Sequence, residues 1–108
     1  MHIGDLDGAS TNQLETWTAL VTITVHDSNH GPAANATVSG SWSIGGTGSC
    51  TTDSWGQCVV QKSTIPRRTQ SVMFTIVNVT NPMFLYRSVD NHDPDGDSNG
   101  TSVTVSNR

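Results

Sequence analysis

Trp17-Thr18-Ala19-Leu20-Val21-Thr22-Ile23-Thr24-Val25-His26 alternates along its whole length. Trp17, Ala19, Val21, Ile23 and Val25 fall on one side, and Thr18, Leu20, Thr22, Thr24 and His26 on the other. A period of two in β-branched and aromatic residues is a strand with one buried face. Downstream, His26-Asp27-Ser28-Asn29-His30-Gly31-Pro32 is turn chemistry throughout. A second alternation puts Ala36, Val38, Gly40, Trp42 and Ile44 against Thr37, Ser39, Ser41 and Ser43, until Gly45-Gly46-Thr47-Gly48 breaks it.

Further out, the pattern repeats in short units. Strands are expected near 48–52 and 57–62, with Asp53-Ser54-Trp55-Gly56 as a type I turn and Gly56 in the left-handed position. Ile65 to Arg68 reads as a connector. The stretch Ser71 to Thr80 buries Val72, Phe74 and Ile76, but Met73, Val77 and Val79 make its other side apolar too. A bulge or a second covering surface near Val77 accounts for that. Met83 to Arg87 reads as a short strand, and Thr101 to Ser106 closes the chain with Val103 and Val105 inward. Residues 1–16 read as polar and irregular. Seven short strands without helical periodicity define an all-β fold, an immunoglobulin-like β-sandwich, as one domain over residues 1–108. Ile23, Trp42, Phe74 and Val103 are expected in one core.

Composition agrees with that class. Of 108 residues, 33% are hydrophobic and 13% charged, which is too apolar and too patterned for disorder. No run of 18 apolar residues suggests a membrane span. The N-terminus lacks the basic flank and apolar core of a signal peptide. A net charge of −4, with Arg67-Arg68 as the sole basic cluster, argues against nucleic acid.

That charge is concentrated at the two ends. Asp90-Asn91-His92-Asp93-Pro94-Asp95-Gly96-Asp97-Ser98-Asn99-Gly100 and Gly4-Asp5-Leu6-Asp7-Gly8 together hold six of the nine acids. Carboxylates at alternate positions on a backbone able to turn tightly suit a hard cation. The competing reading is a solvated turn, since Asp-Gly and Asn-Gly are strong turn formers. The charge density favours a calcium site built from Asp5, Asp7, Asp90, Asp93, Asp95, Asp97 and Asn99. It would be completed if the start of the chain and the final strand run in the same direction. His2 and His92 adjoin the acidic segments, so mixed zinc ligation is the alternative; the excess of oxygen ligands favours calcium.

Cys50 and Cys58 are spaced wrongly for a CxxC motif and flank a turn. They read as a disulfide across a hairpin, which implies an oxidising compartment; the alternative is two buried thiols. Trp55, at the tip of that polar hairpin, either contacts a sugar ring or a neighbouring domain, or folds back over the disulfide. Trp17 and Trp42 fall on buried phases. Lys62, the lone lysine, reads as an outward strand residue rather than an isopeptide crosslink. No nucleophile elbow, H-E-x-x-H or phosphate loop is present. His26-Asp27 reads as solvated turn chemistry, so no enzyme is expected.

The stretches Thr24-Val-His-Asp-Ser-Asn-His-Gly-Pro-Ala-Ala-Asn-Ala-Thr-Val38 and Thr51-Thr-Asp-Ser-Trp-Gly-Gln-Cys-Val-Val60 resemble the bacterial immunoglobulin-like (invasin/intimin-type) domains. Their common text is D-x-N-x-x-P-V-x-x-A-T-V followed by T-T-D-x-x-G-Q; Ala33 stands where Val is preferred. The likeness covers residues 17–80. The cysteines and acidic ends are similar to those of modules appended C-terminally to secreted bacterial hydrolases and peptidases. The resemblance implies a noncatalytic accessory module, secreted or at the bacterial surface; a monomer is expected. Its partner would be the rest of the parent polypeptide. The alternatives are a module that binds a polysaccharide or protein substrate, and an adhesin-type spacer repeat.

Overall fold

The structure, a computed structural model, describes residues 1–12, 14–27, 29–82, 85–86, 91 and 100–106. Among them seven strands form: β1 (His2–Asn12), β2 (Thr16–His26), β3 (Thr37–Trp42), β4 (Thr47–Thr51), β5 (Gln57–Pro66), β6 (Ser71–Thr80) and β7 (Ser102–Ser106). One sheet has the order β1-β2-β5 and the other β4-β3-β6-β7, with every pairing antiparallel. This is an immunoglobulin-like sandwich in which β4 lies beside β3 rather than on the β5 edge.

The deciding strand behaves as its alternation requires. Trp17, Ala19, Val21, Ile23 and Val25 are all fully buried, while each residue between them is partly exposed. Across the interior they meet Val38, Trp42, Val72, Phe74, Ile76, Val79, Val103 and Val105 in one core. Trp42 and Phe74 pack with ring centroids 4.8 Å apart. The register between β3 and β6 skips Val77, since Ser39 pairs with Asn78 but Gly40 with Ile76. That bulge turns Val77 outward and swings Val79 into the core, which resolves the doubly apolar strand.

Several boundaries differ from the sequence reading. Residues 2–12 are not irregular but form the edge strand β1. Its period is broken at Gly4, the extra residue between the pairs Ile3–Val25 and Asp5–Thr24. The bulge lets Ile3 and Leu6, three positions apart, both face the core. At the other end of β5, Ile65 is no connector. A bulge opposite Trp17–Ala19, where Thr64 has a φ of 58°, restores its inward phase. Ile44 is 43% exposed, because it lies within the Trp42–Gly46 turn that closes the β3–β4 hairpin. Leu85 and Tyr86 carry no strand pairing; Met83, Phe84 and Arg87 lie outside the described residues.

Cys50 and Cys58 are joined, with Cα atoms 5.8 Å apart. The bond does not cross a hairpin within one sheet, as the turn suggested: β4 and β5 belong to opposite sheets. Cys50 is level with Val38 and Cys58 with Ile23, so the bridge ties the two inner faces together at one side. On the other side, β1 and β7 approach closely; a methyl group on Gly8 would come within 2.9 Å of Val105 Cγ2. Lys62 also departs from expectation. It lies level with buried Ala19, in the inward phase of β5, and its ammonium reaches the Gly46 turn of the opposite sheet.

Candidate metal centre

The pairings fix which loops share an end of the sandwich. β1 begins where β2 ends, since His2 pairs with His26. The 27–36 loop then enters β3, which runs alongside β7 in direction because both are antiparallel to β6. The start of β1, the turn after β2, the Asp53–Gly56 turn and the approach to β7 therefore gather at one end. The start of the chain and the last strand do run in the same direction.

Three histidines converge there. His2 is buried, His26 half-buried and His30 exposed. Their ring centroids lie 5.6 Å (His2–His26), 4.9 Å (His2–His30) and 5.9 Å (His26–His30) apart, with interplanar angles of 81°, 73° and 81°. One nitrogen from each falls within 4.8 Å of the other two. His26 is thus no solvated turn residue. Its imidazole lies over the backbone of Gly4, where a methyl group would overlap it. The glycine bulge in β1 makes room for the ring.

His30 is placed by the turn that follows β2. His26 bridges to Pro32, and the Asp27 N–H donates to the Gly31 carbonyl at 2.9 Å. The His30 N–H donates to the Asp27 carbonyl at 3.0 Å, and His30 adopts a left-handed φ of 62°. Asp27 Oδ1 accepts from the N–H groups of Gly31 and Asn29, both at 2.9 Å. Those two bonds hold the Asp27 carboxyl below the usual carboxylate range, Gly31 contributing most. The aspartate thus builds the turn, and its proximal oxygen is committed to backbone donors.

Of the calcium ligands read from the sequence, Asp90, Asp93, Asp95, Asp97 and Asn99 lie outside the described residues, as does His92. Asp5 and Asp7 are half-buried on β1, level with Thr24 and Thr22 on the outer face of the sheet, with buried Leu6 between them. Asn91, within the acidic run, is bonded to the same region. Its Oδ1 accepts from the Ile3 N–H at 2.8 Å, and its Nδ2 donates to the Tyr86 hydroxyl at 2.7 Å and to Thr101 Oγ1 at 3.1 Å. The Met1 amine donates to the Leu85 carbonyl at 2.6 Å. Trp55 is 76% exposed, so it does not fold back over the disulfide.

The histidine cluster was only half visible in the sequence. His26-x-x-x-His30 spans a turn and signals a possible pair. His2 joins it through the register of a strand that the polar N-terminus conceals.

Comparison with known proteins finds no matching family model, no matching characterised protein and no matching solved structure.

Proposed function

We propose that this is a noncatalytic extracellular accessory module of a larger bacterial protein, stabilised by calcium held between its acidic ends. The observation that carries the calcium reading is Asn91. Its side chain links β1, which bears Asp5 and Asp7, to Thr101, where the acidic run enters β7. Asn91 and Thr101, which bracket residues 92–99 in the sequence, are therefore held at the end of the sandwich where β1 begins, and that supports a cation shared with Asp5 and Asp7. The disulfide supports an oxidising compartment. Among the described residues no helix is long and apolar enough to cross a membrane.

A melt in calcium and in chelator tests this, on the parent and on Asp95→Asn with Asp97→Asn. Calcium at a hundredfold excess over its dissociation constant should add about 2.7 kcal/mol to the parent and much less to the variant. An unchanged melting temperature on chelation, with no metal by elemental analysis, rejects the calcium reading.

A second reading, contact with a polysaccharide or protein substrate, is favoured by the exposure of Trp55 at that end. Trp55→Ala should leave stability within about 0.5 kcal/mol and abolish any binding found in a glycan screen. Retention of that binding in the variant removes Trp55 from the contact.

A further inference from the structure

We infer that His2, His26 and His30 form a binding site for a divalent transition-metal ion of the zinc class, separate from any calcium held by the acidic ends. Imidazole nitrogen is a borderline ligand that suits zinc, nickel and copper and is ill matched to calcium. Three rings standing 73–81° to one another, with one nitrogen each inside 4.8 Å, present a converging donor triangle rather than a stack. Tetrahedral zinc with Zn–N near 2.05 Å needs nitrogens about 3.3 Å apart. The rings must therefore close by about 1.5 Å at most, a change within reach of small side-chain rotations.

The supporting backbone is already set. His2 and His26 are direct cross-strand partners, and the Gly4 bulge seats the His26 ring. His30 is turned toward them by its left-handed φ and by the Asp27 bonds to Asn29 and Gly31. Three protein nitrogens leave a fourth position to water or an incoming ligand, and the exposure of His30 opens that position to solvent. A bound ion would fasten the first residues of edge strand β1 to the end of the central strand β2 and to its turn. It would thereby protect an edge strand that is paired to β2 alone.

The measurement is a titration of the whole chain with zinc chloride, followed by calorimetry and thermal melting, and with cobalt chloride, followed by d–d absorption. The parent should take up one equivalent of zinc. Its melting temperature should rise by about 10 °C at a hundredfold excess over the dissociation constant. His30→Asn is the chief variant: Asn accepts the left-handed conformation, and the site is exposed, so its metal-free melting temperature should match the parent. Its zinc affinity should fall more than tenfold and its cobalt spectrum should lose intensity. Asp95→Asn with Asp97→Asn should bind zinc as the parent does, whatever happens to calcium. Absence of saturable zinc binding by the parent overturns the inference. So does parental zinc affinity in His30→Asn, or loss of zinc binding in the aspartate variant instead.

Discussion

Trp17→Ala should lower stability by about 3–5 kcal/mol, the cost of deleting a large side chain from a closed core. Trp17 is fully buried, and its indole Nε1 donates to the Thr69 carbonyl at 2.9 Å. The variant loses apolar contact, leaves a cavity and strips an acceptor in the β5–β6 connection of its donor. A domain stable by about 5–15 kcal/mol would lose a large share of its reserve. In urea the midpoint should fall by roughly 2–3 M, for a slope of about 1.5 kcal/mol/M. Trp17→Phe separates the two contributions. It keeps most of the bulk and loses the hydrogen bond, worth about 0.5–1.5 kcal/mol. Trp55→Ala supplies the contrast, the same deletion at a site 76% exposed. If Trp17→Ala and Trp55→Ala unfold at similar urea concentrations, the assignment of β2's inner face is wrong.

That contrast follows from a feature the sequence states openly. β2 carries its large inward residues at every second position, so its phase needs no structural knowledge. The bulge at Val77 is legible for a related reason: apolar side chains on both phases of one strand demand a crossover between them. β1 is hidden by opposite circumstances. Ile3 and Leu6 are out of phase until the bulge at Gly4 is known. Beyond Leu6 the inward positions are Gly8 and Ser10, small because β7 lies against them. Gly8 is exposed and Ser10 half-buried, so this half of β1 carries no large apolar side chain and leaves little apolar signal to read. The histidine site inherits that concealment, since His2 is placed by β1. Ile65 reads as a connector because the bulge near Thr64 leaves no mark of its own, Thr being an unusual residue at a φ of 58°. Lys62 lies before that bulge and continues the inward phase of Cys58 and Val60. The acidic run is conspicuous in the sequence, and of it the structure describes Asn91 and Gly100.

Removing the disulfide, by Cys50→Ala with Cys58→Ala, should cost about 2.5 kcal/mol on the chain-entropy account of so short a loop. The bridge spans the two sheets, so its loss should also act locally. β4 is an edge strand of five residues with no fully buried side chain, and it is paired to β3 alone. Its other attachments are the turn into β5, where the Gly56 N–H donates to the Asp53 carbonyl, and Thr52. Thr52 Oγ1 accepts from the Ala36 N–H at 2.9 Å and donates to the Ala33 carbonyl at 2.7 Å. That buried hydroxyl holds the residue after β4 to the loop before β3, whereas Cys50, the penultimate residue of β4, is held to the opposite sheet by the bridge. In the double variant the amides of Thr47–Thr51 should therefore exchange hydrogen faster than global unfolding allows, while those of β2 exchange only through it. The urea midpoint should fall by roughly 1.5 M, and the slope should rise as the unfolded chain, freed of its crosslink, expands. An unmoved midpoint would show that the bridge contributes nothing to stability. Equal acceleration of exchange in β2 and β4 would show that it does not act as a local tether between the sheets.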